Sequence, residues 1–190
     1  MANTDAAFGL RPVSKLDGSS WSGATREAYW AGDTSTTLYP GDPVVLSGTG
    51  DDNGVPAVTK ASTAGPVWGV MVNVSGDSSE DLLRDSNRYL STSAGYLQVV
   101  KAEDMLFEIQ EDSDSTDLAK TDIGLYADFI YGTPSTSHPI RSAVEIDSSS
   151  ADTSSASAVQ IINLPRRPDN TIGSNANWLV RINNLNTGAV

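Results

Sequence analysis

Apolar and polar residues follow two different rhythms along the 190-residue chain. Up to about residue 37, Phe8, Leu10, Val13, Leu16, Trp21, Tyr29 and Trp30 are scattered among Gly, Ser and Thr with neither a helical nor a strand period. Large apolar groups on such a stretch must dock on the body of the protein or on a neighbouring subunit, because a free tail would leave them in water. The pattern predicts an extended N-terminal arm over residues 1–37.

From Leu38 the rhythm is that of strands. Tyr39-Pro40-Gly41-Asp42 carries Pro and Gly at the central positions of a type II turn, which needs a positive φ at the Gly. Residues 43–46 then read as a short strand, 47–54 as an exposed hairpin-type loop, and 55–61 as a second strand. The run Val67-Trp68-Gly69-Val70-Met71-Val72-Asn73-Val74 is almost continuously apolar, which predicts a strand covered on both faces. Residues 79–84 carry the one helical signal, with Ser78 or Ser79 as N-cap and acids in the first turn. Strand behaviour returns at 95–100, and over 105–110 Met105, Phe107 and Ile109 alternate with Leu106, Glu108 and Gln110 as in a half-buried strand.

The second half repeats this grammar with more Ser. Residues 123–131, 142–146, 158–163 and 178–183 read as strands, separated by polar loops at 112–117 and 147–155. Two prolines exclude regular structure from Leu164-Pro165-Arg166-Arg167-Pro168-Asp169-Asn170. Many short strands with Gly/Pro turns predict an all-β protein: a small β-barrel or sandwich over 38–112, and a second β-rich region over 113–190 packed on it.

Composition narrows the chemistry. With 41 Ser and Thr, and hydrophobic residues at 38%, the core is thin. No Cys is present, which removes disulfides, thiolate zinc sites and cysteine nucleophiles, and one His cannot build a multi-histidine metal centre. The opening residues lack the basic and apolar regions of a secretory signal, and no apolar run approaches the roughly 20 residues of a membrane helix. A soluble, acidic protein of a reducing compartment is expected, with no membrane partner.

The net charge of −12 argues against nucleic acid as a partner, since counterion release needs clustered bases. It is also unevenly placed. Residues 1–30 sum to zero, residues 31–165 to −14, and residues 166–190 to +2. An acidic body thus lies between two non-acidic ends.

Candidate chemistry is sparse. His138 has no G-x-S-x-G elbow to work with and reads as a loop histidine. The loop 112–117 superficially resembles a calcium loop but lacks its Gly and its terminal Glu. Gly48, Gly50 and Gly54 are explained by a turn, with no Lys or helix following as a phosphate loop requires. Glu108 and Glu111 form a nominal glycosidase pair, but among 24 acids some such pair always occurs. No catalytic residue, metal site or cofactor is predicted.

Several segments resemble the capsid decoration, or cement, proteins of tailed bacteriophages. They are Phe8-Gly9-Leu10-Arg11-Pro12-Val13 and the stretches 105–112, 122–128, 144–149, 164–170 and 175–183. The stretch 39–46, leading to 69–72, looks like the small barrel found in many of that group. The resemblance spans residues 8 to about 183, although 113–190 has no counterpart in the group's short members.

It implies a β-rich, commonly trimeric, non-enzymatic protein that clips onto the outside of an expanded head. The implied partners are the major capsid protein and further copies of itself. The implied location is the outer capsid surface of the virion, after synthesis in the bacterial host cytoplasm. On that reading the two non-acidic ends attach, through Phe8, Leu10, Arg11, Pro12, Trp21, Tyr29, Trp30, Arg166 and Arg167. The alternatives are another head or tail component, such as a head fibre base or minor tail protein, and a carbohydrate-binding or hydrolysing β-domain.

Overall fold

The computed structural model describes residues 3–75, 89–114, 116–136 and 139–187. The expected helical turn at 79–84 and His138 lie outside the described residues. The chain is all-β, as its alternation and turn chemistry predict. Among the described residues the strands are β1 (Arg11–Lys15), β2 (Arg26–Trp30), β3 (Pro43–Gly50), β4 (Pro56–Lys60), β5 (Gly69–Ser75), β6 (Gly95–Lys101), β7 (Met105–Gln110), β8 (Tyr126–Ala127), β9 (Phe129–Tyr131), β10 (Val144–Ile146), β11 (Val159–Asn163) and β12 (Asn177–Ile182).

Five of them close a small barrel in the order β2-β4-β3-β5-β6. The Tyr39–Asp42 turn leads into β3: Gly41 has φ +99°, and Asp42 N donates to Tyr39 O at 2.9 Å. Ala28, Trp30, Leu38, Val44, Val58, Met71, Leu90, Leu97 and Val99 fill the interior. A second sheet runs β1-β7-β12-β11-β8, with the β9–β10 ribbon beside it. Its core is built on Phe107, Ile109, Phe129, Ile146, Ile161, Trp178 and Val180, all nearly or fully buried.

The apolar run at the start of β5 explains how the two parts join. Met71 faces the barrel interior, whereas Val70 and Val67 belong to the second core. Val99 and Val100 on β6 divide in the same way. One wall of the barrel is therefore also the floor of the second core, and a strand covered on both faces needs apolar residues in succession.

Both expected domain boundaries move. The stretch predicted as an arm, 1–37, docks on the body, and does so as regular strands: β2 is a barrel strand and β1 pairs with β7. Tyr29 hid the alternation of β2: its amphipathic ring lies outward while Ala28 and Trp30 point in. The other boundary, at 112/113, cuts the second sheet, since β7 pairs with β12 and β1 and takes no place in the barrel. Alternation gives a strand its faces but not its neighbour, and the neighbour of β7 lies some 70 residues downstream. The expected strand 123–131 is two short ones, interrupted at Asp128, whose carboxylate accepts Ala158 N at 3.1 Å.

Candidate attachment surface

The residues singled out at the two chain ends divide into core and surface. Leu10 and Trp30 are 2% and 3% exposed, in the second core and in the barrel, so neither is available to a partner. Trp30 Nε1 donates to Ser91 O at 2.7 Å, satisfying the one polar atom it takes inside. Trp21 is half-buried against the second core, with Nε1 donating to Ala24 O. Pro12 is half-buried opposite Phe107. These four are internal docking points, and the stretch clamps its own body.

Phe8, Arg11 and Arg167 meet around one carboxylate. Glu108 lies on β7, where alternation predicts solvent, yet the residue is only 4% exposed. Arg11 Nη2 donates to its Oε2 and Arg167 Nη1 to its Oε1. The Arg11 guanidinium also lies 4.8 Å from the Phe8 ring centroid. A buried carboxylate is tolerated where both oxygens carry charged donors, and here those donors come from opposite ends of the chain. Arg167 further approaches Asp169 at 3.3 Å, while Arg166 beside it is exposed. The sequence brought out both arginines, and Glu108 only as a nominal acid pair with Glu111, not as the carboxylate the arginines share.

What β1 leaves outside is a mixed row. Arg11, Val13 and Lys15 are exposed in alternation, and Val13 and Leu16 are 41% and 46% exposed. β1 is an edge strand, and Pro12, a register shift between Pro12 and Ser14, and two bases blunt it against strand addition. What this edge offers is therefore side chains rather than free backbone. A shallow cleft adjoins the row, lined by Lys15, Leu16, Asp17, Glu103, Asp104 and Met105. Hydrogen bonds from Ser19 hold the Asp17 carboxyl below its usual range.

Tyr29 lies apart from that surface, on the barrel wall, 5.6 Å from the Tyr96 ring at an interplanar angle of 52°. Tyr96 OH is held by Asp51 Oδ2 at 2.6 Å. Two rings so inclined form no flat platform for a sugar. The nominal glycosidase pair fares no better as a site: Glu108 is ion-paired and Glu111 is wholly buried.

Asp112, Asp114 and Asp147 bring carboxylate oxygens within 4.8 Å of one another. Ser148 bridges two of them, its Oγ donating to Asp112 Oδ1 at 2.7 Å and lying 3.3 Å from Asp114 Oδ1. The Asp-rich loop thus ties itself to the turn after β10. Among the described residues, no helix is long and apolar enough to cross a membrane.

No protein-family model, curated protein or solved structure matches the chain.

Proposed function

We propose that this chain is a non-enzymatic structural protein of a tailed-phage virion, binding the outer capsid surface and cementing neighbouring capsomers against the pressure of packaged DNA. Its partners on this reading are the major capsid protein and further copies of itself, in a trimer. One observation supports it most. Four of the segments that carry the resemblance, 8–13, 105–112, 164–170 and 175–183, converge on β1, β7, β12 and the Glu108 ion cluster. They present bases and exposed apolar side chains together, on an otherwise acidic chain. A small protein gains most by spreading modest contacts over several neighbours, because engagement of one raises the effective concentration at the next.

The test adds purified protein to expanded heads that lack it and counts copies per hexamer by cryo-electron microscopy. Removing residues 2–30 would also delete β1 and a barrel strand, so surface substitutions replace deletion. A Val13→Asp/Leu16→Asp variant that keeps its circular dichroism is expected to lose about tenfold or more in occupancy, as loss of two apolar contacts implies. Heads that take up no wild-type protein, or density at the tail instead, would overturn the reading in favour of another virion role.

A further inference from the structure

Asp51 holds the tip of the hairpin between β3 and β4. Its Oδ1 accepts from Asn53 N at 2.9 Å and from Val55 N at 2.7 Å, and its Oδ2 accepts from Tyr96 OH at 2.6 Å. The backbone closes the same turn, with Gly54 N donating to Asp51 O at 3.1 Å. The Tyr96 hydroxyl, before the backbone donors, holds the Asp51 carboxyl below its usual range.

The Asn53 side chain is only loosely tied into this arrangement. It is exposed, and its Nδ2 lies 3.3 Å from Asp51 Oδ2 and 3.4 Å from Tyr96 OH, long for a hydrogen bond. Gly54 is exposed as well, has φ +84°, and has open space around the position of a Cβ. Asn53 is the one asparagine of the sequence that glycine follows. No side chain at 54 therefore shields the Gly54 nitrogen from Cγ of Asn53.

We propose that Asn53-Gly54 is a self-modifying site, at which the side-chain amide of Asn53 is converted into a carboxylate through a cyclic imide. The Gly54 nitrogen bonds to Asn53 Cγ, the Cγ–Nδ2 bond breaks, and the amide group leaves as ammonia with the proton that the Gly54 nitrogen gives up. Water then opens the ring, its hydroxyl going to the carbonyl carbon attacked and its proton to the ring nitrogen. Opening at Cγ leaves aspartate. Opening at the main-chain carbonyl leaves isoaspartate, with the chain running through Cγ.

The reaction needs Gly54 N released from Asp51 O, which local opening of an exposed hairpin tip provides. The product sets a second carboxylate beside that of Asp51, without the donors of the amide. Isoaspartate also lengthens the turn by a main-chain carbon. Both changes loosen the tip from Tyr96. This chemistry goes beyond capsid attachment and does not depend on it.

The test incubates the folded full chain at mildly alkaline pH, where the Gly54 amide loses its proton more readily, and follows the peptide holding Asn53 by mass spectrometry. A gain of about 1 Da at Asn53, with aspartate and isoaspartate both present, is expected. In Gly54→Ala the rate falls about tenfold or more. Asn53→Gln, which would have to close a larger ring, keeps its mass. Asn170 is the internal control and stays an amide: it is 4% exposed, and its side chain is bonded to Pro165 O, Asn177 O and Asn177 N. In the aged protein, hydrogen exchange at the Val55 amide speeds about threefold or more. No gain at Asn53, aspartate without isoaspartate, an undiminished rate in Gly54→Ala, or unchanged exchange at Val55 would overturn the proposal.

Discussion

Lys60 Nζ stands 2.9 Å from Oδ2 of Asp42, at the junction of the barrel with the second sheet. Asp42 is 1% exposed and also accepts from Tyr39 N and from Ser142 Oγ. The Lys60 ammonium lies 4.6 Å from the Tyr131 ring centroid, and Tyr131 OH donates to Ala61 O at 2.6 Å. Burial, then the charge of Asp42, raises the Tyr131 hydroxyl above its ordinary value, so it stays a donor. Every oxygen of the buried carboxylate is used. Lys60→Met strands that charge and is expected to cost about 3 kcal/mol in urea unfolding, with Asp42→Asn in the same chain recovering part of the loss.

The Glu108 cluster makes a graded prediction. Arg11 has an exposed side chain at 54%, so Arg11→Ala is expected to cost about 0.5–1 kcal/mol. Arg167 is less exposed, at 33%, and its loss costs more. Glu108→Ala leaves two guanidiniums facing one another over an apolar strand and is expected to cost about 2–3 kcal/mol. The order Arg11, Arg167, Glu108, read from denaturant midpoints, checks the assignment.

Gly9 serves where no other residue fits. Its φ is +72°, and an added Cβ would lie 2.7 Å from both Gly41 O and Ser142 Cβ. Gly9→Ala combines left-handed strain with a backbone clash and is expected to cost about 2–4 kcal/mol. Gly124→Ala is the control: its φ is +92° but nothing stands within 4 Å, and about 1 kcal/mol is expected. Melting temperatures of the two variants separate strain from contact.

Stability should fall as pH rises through the window from 4.5 to about 7. Burial first, then neighbouring carboxylates, raises Glu111 and Glu145 from 4.5 to about 7 in the folded chain, so between those values the native state holds more protons than the unfolded one. Their favourable contribution is complete below the lower value and gone above the upper. Glu111→Gln is expected to flatten this slope and to raise stability at about pH 8 by about 1–2 kcal/mol, allowing for partial relaxation around a buried acid. A variant slope equal to that of the wild type would refute the assignment.

Local chemistry made much of the fold legible. The Pro40-Gly41 turn, the doubly covered start of β5 and the alternating apolar face of β7 all follow from residue types at fixed spacing. The pairing of β7 did not, because nothing in Met105–Gln110 names β12 as its neighbour. Glu108, Gln110 and Glu111 were hidden for a related reason. Their burial is imposed by Arg11, Thr4, Ala6, Arg167 and Leu118, each supplied from another segment of chain. Arg11 and Arg167 stood out by charge, but only the folded chain reveals that they share a carboxylate.

The division of labour along β5 and β6 reaches beyond packing. Val70 and Met71 are consecutive, as are Val99 and Val100, and each pair is split between the two interiors. Melting the barrel would strip the floor from the other core, and dissolving that core would bare the outer wall of the barrel. The two halves are thus expected to melt as one cooperative unit, which a single coincident transition by two probes would check. On the capsid role proposed above, mechanical load would then be met first at the contacts with neighbours rather than inside the subunit.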